Sequence, residues 1–274
     1  MANEAPMRDT SSRPDGGVNQ LWIEPAEPNA SIYRILSLER FFELFTRREN
    51  VLVKPKKWED PFEDFILNWG ASEKDKQPFA RPTVYGQCWT LGRASDAMWR
   101  IYSPTSHSVR IRSTVSKVLE SLKRNAEPTQ HAFIGRVKYP NEDELLKRAN
   151  AAIRMLKDGK ALMKDFAETL LLKRSMFTHE EEVRLLLLTN DDLQQSKDLL
   201  PYEIDPHELI DQVMLDPRIS KAYADALKFG IEKQISFKGE IVQSMIYAPP
   251  SSRLEQTPDG IRWRAVGRRR RSKT

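Results

Sequence analysis

The sequence predicts an α+β fold, a single domain of short strands with interspersed helices. Three observations carry this. Short apolar, alternating or aromatic runs recur along the chain, at residues 32–36, 51–53, 83–91, 108–112, 131–139 and 180–188. Stretches with helical spacing lie between and after them. No internal repeat and no Pro/Gly/Ser-rich linker divides residues 31–266.

In chain order, residues 1–30 are rich in Pro, Ser, Asn, Asp and Gly and read as a flexible N-terminal arm. Residues 32–36 form a short strand. Ser37 is placed to cap a helix over 38–47, on which Leu38, Phe41, Phe42 and Phe45 make one apolar stripe. A strand at 51–53 follows, and Pro55 opens a loop that runs through Asp60-Pro61-Phe62-Glu63, where Asp60 before Pro61 suits a turn. Residues 83–91 are aromatic-rich and strand-like, and Ser95 can cap a short helix carrying Met98, Trp99 and Tyr102. Residues 108–112 alternate as a half-buried strand should. Residues 114–125 are helical, with Val118, Leu119 and Leu122 together, and 131–139 is another strand.

Residues 141–173 hold two helical pieces broken at Asp158-Gly159. Leu145, Ala149, Ala152, Ile153 and Leu156 face inward on the first, and Leu162, Phe166 and Leu170 on the second. Residues 211–215 precede an amphipathic helix with Ile219, Tyr223, Leu227 and Ile231 on one face. A strand near 241–247 and a last short one at 261–266 complete the domain, and residues 267–274 are a basic C-terminal tail.

Composition excludes several classes. No apolar run approaches the ~18 residues of a membrane helix. The first residues lack a basic region followed by an apolar stretch, so no signal peptide and no membrane association are expected and the cytoplasm is the expected location. The one cysteine, Cys88, rules out an intrachain disulfide and reads as core rather than nucleophile between Gln87 and Trp89. No Gly-rich phosphate loop and no Gly-x-Ser-x-Gly elbow occurs. His107, His131, His179 and His207 are scattered without metal spacing, so no metal site is expected from them.

The net charge of +5 is localised. Residues 262–274 hold seven basic residues and no acid, which leaves residues 1–261 at −2. Arg268, Arg269, Arg270 and Arg271 in the tail could hold nucleic acid through its phosphates, or could be a solvated end that aids solubility.

The most informative stretch is 173–188. As a strand over its last nine residues, it would place Glu180, Glu182 and Arg184 on one face, continued into core by Leu186 and Leu188. Buried charge is costly unless paired or used, so the charged end should open on a cleft or on solvent. The plain alternative is a solvated edge strand with a Glu182–Arg184 surface pair.

Taken in order, Tyr33-Arg34, Asp60-Pro61-Phe62-Glu63, Cys88 with Met98-Trp99-x-x-Tyr102, and Lys173-x-x-x-Phe177-x-x-Glu180-x-Glu182-x-Arg184 resemble a bacterial family catalogued as domain of unknown function 2971. Residues 205–217 are similar to that family's following segment, so the resemblance covers about residues 31–247. The family's usual Asn before Asp-Pro-Phe-Glu is Glu59 here, and its usual Trp is Phe177.

A more distant resemblance is to the ADP-ribosyltransferase superfamily, especially bacterial toxins that modify nucleic acid. Arg34, Tyr102 and Glu180-x-Glu182 fall in the order of its first-strand Arg or His, its nicotinamide-side aromatics and its late-strand Glu; its Ser-Thr-Ser element has no counterpart nearer than Thr90. This resemblance implies a split sheet, NAD as substrate, and transfer of ADP-ribose to a macromolecular acceptor. Nucleic acid is the foremost acceptor in such a toxin or anti-phage setting, which would also bring an antitoxin or chaperone partner.

In residue terms, the resemblance implies that Glu182 is the carboxylate near the ribose hydroxyls and that Glu180 orients or deprotonates the acceptor. Tyr33 and Arg34 would lie at the NAD site, with Arg34 on the pyrophosphate. Tyr102 or Trp99 would stack on the nicotinamide. Arg34 is then expected close to the Glu180–Glu182 face. The plainer readings stay open: Trp99 and Tyr102 as core aromatics, and Arg34 as an ion-pair partner of Glu182 or Glu63. Two other functions also stay open: a non-catalytic module that binds RNA, DNA or protein, and a nuclease that holds Mg²⁺ with Asp60, Glu63, Glu180 and Glu182.

Overall fold

The computed structural model describes residues 20–23, 27–58, 60–63, 82–158, 161–190, 197–247, 252–257 and 260–265. The architecture is α+β, built on a ten-stranded mixed sheet. Residues 20–23, within the stretch read from composition as a loose arm, form β1 (Gln20–Ile23). It runs parallel to β6 (His131–Arg136).

The next elements are β2 (Ser31–Ser37), α1 (Leu38–Arg47), β3 (Glu49–Val53), β4 (Thr83–Thr90), α2 (Asp96–Tyr102), β5 (Ser108–Thr114) and α3 (Val115–Lys123). After β6 come α4 (Glu142–Lys157), α5 (Met163–Thr169), a 3₁₀ turn at Ser175–Glu180 and β7 (Glu182–Thr189). The chain continues through β8 (Leu199–Glu203), α6 (Pro206–Leu209), β9 (Gln212–Leu215), α7 (Lys221–Gln234) and β10 (Glu240–Gln243). A separate antiparallel ribbon is formed by β11 (Ser252–Thr257) and β12 (Gly260–Ala265).

Side-chain oxygens close the helix starts where the sequence places them. Ser37 Oγ accepts the Arg40 N–H and Ser95 Oγ accepts the Met98 N–H, which satisfies donors that have no partner inside the helix.

The pairing of the sheet is uneven, and that unevenness makes the site. β4 and β7 pair rung for rung from Thr83↔Thr189 to Thr90↔Glu182, and β6 covers the other edge of β7. On the far side β2, β5, β9 and β10 make a second run, with β2 and β5 paired over all seven residues of β2. The two runs meet through the rung Tyr33↔Thr90, and β3 joins β4 through the rung Val53↔Gly86. So β2 and β3 leave β4 at different points and the sheet is split.

A buried network holds β3 and β8 to β4 on one side of the split. Asn50 donates to Tyr202 Oη at 2.7 Å, while Gln87 donates to Asn50 Oδ1 at 2.7 Å and to the Val51 carbonyl at 2.9 Å. Trp89 Nε1 donates to Gln87 Oε1 at 2.8 Å. Every one of these buried polar atoms would be costly without its partner.

Alternation along β7 feeds two cores. Val183, Leu185 and Leu187 pack with Ile32, Leu36, Leu52, Tyr85 and Trp89 on one face. Leu186 and Leu188 pack with Val84, Phe133, Phe166 and Leu170 on the other. Full burial of each such side chain contributes about 1.5–3 kcal/mol.

Some local expectations shift. The strand expected at 131–139 ends at Arg136, and the one near 241–247 ends at Gln243. Leu162 does not face inward: it is 70% exposed, at the residue before α5. Ile219 precedes α7, whose cap is Ser220, and Tyr223 stands at the surface. Among the described residues no helix is long and apolar enough to cross a membrane.

Candidate active site

Where the sheet splits, a cavity of about 240 Å³ opens along β2 and β4, and its wall includes Tyr33, Arg34, Trp58, Cys88, Tyr102 and Arg110 together with Glu180 and Glu182. Trp58 can lie against β4 because residue 86 is glycine. A Cβ there would stand 2.6 Å from Trp58 Cζ2 and 3.0 Å from Leu186 Cδ2.

Glu182 reaches the cavity from the start of β7, but Glu180 does so by a route other than strand alternation. Glu180 ends the 3₁₀ turn and Glu181 is left-handed at φ 45°, so β7 begins only at Glu182. The expectation that Glu180 lies on the strand is corrected accordingly. Two bonds to main-chain carbonyls fix the turn: Thr90 Oγ1 donates to the Glu180 carbonyl at 2.5 Å and the Leu91 N–H donates to the Glu181 carbonyl at 2.9 Å.

The charges form one buried cluster. Lys173 Nζ lies 2.5 Å from Glu180, 3.0 Å from Glu63 and 3.2 Å from Glu182. Arg184, 0% exposed, places Nη2 2.5 Å from Glu182 and 2.8 Å from Glu63, and donates from Nη1 to the Leu170 carbonyl at 2.6 Å. Its guanidinium also stacks on Trp58, 4.4 Å from the ring centre. The loop that carries Glu63 is clasped a second time, by the two bonds of Arg174 to Asp60 at 2.9 and 3.1 Å. Three carboxylates therefore face two cations, and the surplus of one negative charge favours holding a proton.

Of the Glu180–Glu182 pair, Glu180 is the carboxyl whose proton affinity is raised. Burial, reinforced by the neighbouring Glu182, pushes its carboxyl up to about 7. Burial would raise Glu182 as well, but Arg184, Glu180 and Lys173 hold it below its ordinary value of 4.5. Burial, with Glu180 and Glu182 adding to it, also raises the Tyr102 phenol. Tyr102 is 42% exposed at the end of α2. Buried Asp216 accepts from Ser103 Oγ at 2.8 Å, and Arg218 donates to the Trp99 carbonyl at 3.1 Å, which anchors that end of the helix.

Two expected site residues are placed differently from the expectation. Trp99 is 0% exposed and belongs to the interior, so it cannot stack on a ligand. The register also turns Arg34 away from the carboxylates. Tyr33 pairs with Thr90 and Thr90 with Glu182, so those three share a face, whereas Arg34 shares the face of Ile32 and Leu36. Arg34 touches the cavity at the strand edge, and burial lowers its pKa, with Cys88 and Tyr202, not Glu180 or Glu182, acting the other way.

The acids of the proposed ion pair, Glu63 and Glu182, are taken by Arg184 and Lys173. Cys88 is half-buried on the cavity wall, and burial pushes its thiol up to about 12, which leaves it protonated and a poor nucleophile. Tyr33 does face the cavity, with Arg110 stacked on its ring. Arg268–Arg271 lie outside the described residues.

The sequence reading missed Lys173 as the bridging cation, Trp58 as a wall and Arg110 as a cavity-facing charge. For Arg110 a signal existed. Its alternation with Val109 and Ile111 sets it apart from the core face, but only the register with β2 shows that it meets Tyr33.

A family model described as a protein of unknown function (DUF2971) matches residues 98–185, a stretch that includes Tyr102, Lys173, Glu180, Glu182 and Arg184. No curated protein matches. Among solved structures, two similar ones are of DarT from Thermus sp. 2.9, one in complex with NAD+ and one in complex with ADP-ribosylated ssDNA. Each is 10% identical to this chain. The first covers 81% of this chain and 98% of its own at a TM-score of 0.37, the second 81% and 97% at 0.35.

Proposed function

We propose that this protein transfers ADP-ribose from NAD to a macromolecular acceptor, with nucleic acid the foremost acceptor class. The observation that carries the reading is the buried Glu180–Glu182 pair. It shares charge with Lys173 and Arg184 and opens on the same cavity as the aromatic walls Tyr33, Trp58 and Tyr102.

In this reading Glu182, kept ionised by Arg184, stabilises the positive charge that develops on the ribose as the bond to nicotinamide breaks and its electron pair leaves with nicotinamide. The acceptor forms the new bond to the same carbon and passes its proton to Glu180, whose carboxyl near 7 suits a proton acceptor at neutral pH. Tyr102, exposed at the mouth, offers a ring to the departing nicotinamide or to the acceptor.

The Mg²⁺ nuclease reading has less support. The Lys173 ammonium occupies the space among Glu63, Glu180 and Glu182, and Asp60 is bound to Arg174. The tail Arg268–Arg271 would add phosphate contacts without reading bases, and a toxin setting with an antitoxin partner belongs to the same proposal.

The test is to incubate the purified protein with NAD and single-stranded DNA or RNA and to measure free nicotinamide and ADP-ribose on the polymer. Release of nicotinamide with labelled polymer supports transfer. Salt-sensitive binding without turnover would support the non-catalytic module instead.

A further inference from the structure

The cavity holds a cation whose partner is not among the acids around it. Arg110 is 5% exposed. Its guanidinium lies 3.6 Å from the centre of the Tyr33 ring, and Nη2 donates to the Gly92 carbonyl at 2.6 Å. Burial lowers its pKa to about 10, with only the Tyr33 phenol acting the other way. No ion pair of Arg110 occurs among the described residues, whereas Arg184, also buried, contacts two carboxylates. A buried guanidinium with donors left over is costly unless an anion completes it.

The placement of those donors is fixed. Arg110 pairs with Ile35 in the β2–β5 register, so it stands on the Tyr33 side of the sheet, the side on which Glu182 also lies. The Tyr33 ring holds one face of the planar guanidinium and the Gly92 carbonyl holds Nη2. This leaves the fork with a set orientation toward the cavity that both residues line. Arg93, exposed on the turn next to Gly92, lines the same cavity and brings a second positive charge.

A fixed guanidinium fork matches the paired oxygens of a phosphate. Aromatic walls in the same cavity suit a base or a nicotinamide. On the Glu180–Glu182 side the cations Lys173 and Arg184 are already taken by carboxylates, so the anionic part of a ligand belongs at the Arg110 end and its neutral or cationic part at the carboxylate end.

We propose that Arg110, held between the Tyr33 ring and the Gly92 carbonyl, is the anion-binding residue of this cavity and takes a phosphate of a nucleoside diphosphate moiety, with Arg93 as the second cation. The site rests on the transfer reading only for naming NAD as the molecule that brings the diphosphate. Arg34 lines the same cavity from the strand edge, away from the Tyr33 side on which Arg110 stands.

The test is calorimetric binding of ADP and of inorganic pyrophosphate at low salt to the full chain and to Arg110→Met and Arg110→Lys. Met fills the apolar space over Tyr33 without charge and should lower ADP affinity at least tenfold. Lys keeps the charge, loses the fork and should lower affinity by a smaller factor. If Arg110→Met does not fold, Arg110→Lys alone decides. ADP affinity equal to wild type in either folded variant, or no binding of ADP or pyrophosphate to the wild-type chain at millimolar concentration, overturns the site. An Arg110-dependent ADP site on a protein that leaves NAD intact would keep this inference and reject the transfer reading. NAD cleavage with an unchanged KM in Arg110→Met would do the reverse.

Discussion

On the β7 side of the cavity, Glu63, Glu180 and Glu182 are bound to Lys173 and Arg184 with little charge left over, whereas on the β2–β5 side Arg110 has an aromatic ring and one carbonyl. Both walls are buried, so the contrast is not one of solvent. It follows from pairing. Glu182 and Arg184 share one face of β7, and the segments that carry Glu63, Lys173 and Glu180 meet them there, so that the charges neutralise one another. β2 leaves β4 after one rung, and the gap lets a cation line open space. A wall that satisfies its own charges sets geometry and proton affinity; a wall that does not is ready for a ligand.

The largest expected effect comes from breaking the satisfied wall. Arg184→Met should leave Glu63 and Glu182 buried with only Lys173 between them and destabilise the fold by about 3–5 kcal/mol, read as the midpoint of urea unfolding. A loss below about 1 kcal/mol would show that the cluster is hydrated and that the contrast between the walls is false.

Glu182→Gln comes next. Activity should fall by roughly a hundredfold or more, because the neutral amide cannot stabilise developing positive charge. Stability should fall too, by about 1–3 kcal/mol, since Glu182 is an ion-pair partner and not a free carboxylate. Unchanged turnover of NAD would remove Glu182 from the chemistry.

The surplus negative charge gives a pH prediction. Burial, with the neighbouring Glu182, pushes the Glu180 carboxyl up to about 7 from its ordinary 4.5, so the folded state holds the proton longer. Its contribution to stability is present below about 4.5 and is lost as pH rises toward 7. Glu182, shifted down, acts on the other side: its contribution is present above 4.5 and lost as pH falls below it. The activity, if Glu180 accepts the proton, should rise with pH through about 7. Glu63→Gln removes the surplus charge and should move that limb toward acid by on the order of one unit. NMR of the Glu180 carboxyl carbon in both proteins reads the same shift without any substrate, and coincident titration curves would mean that Glu63 does not set this proton.

Much of this fold was legible because it is local. Ser37 and Ser95 cap the helices that their positions announce, and Val183, Leu185 and Leu187 enter a core as an apolar run should. The Glu-rich segment was legible as a charged end opening on a cavity. What escaped depends on partners distant in sequence. Arg34 is expected beside the Glu180–Glu182 face by its place on an early strand, and it lines the cavity from the opposite side of β2. The rung between Tyr33 and Thr90 decides which of two adjacent residues faces Glu182, and nothing within residues 32–36 encodes that rung. Lys173 escaped for the same reason: Glu63 was expected beside Glu180 and Glu182 as a metal ligand or as a partner of Arg34, and it meets Lys173 across a separation in sequence that no spacing encodes. β1 escaped because residues 20–23 join the sheet by borrowing the edge of β6.

The smallest effect tests how the two carboxylates are brought together. Glu181 sits between them with φ 45°, a left-handed conformation that costs a side-chain-bearing residue about 1–2 kcal/mol. Its side chain is exposed, and its main-chain bonds, from its N–H to Thr178 and from its carbonyl to the Leu91 N–H, survive any substitution that keeps the turn. Glycine removes the strain but gains freedom in the unfolded chain worth roughly 0.5–1 kcal/mol. Glu181→Gly should therefore raise stability by about 0.5–1 kcal/mol and leave the Glu180 titration where it is, because the turn that aims Glu180 is held by Thr90 and Leu91 and not by the Glu181 side chain. Unfolding midpoints with Glu181→Ala as the strained control measure the first effect, and the carboxyl titration the second. A shifted Glu180 titration in the glycine variant would show that a rigid residue at 181 is itself part of how this wall holds its proton.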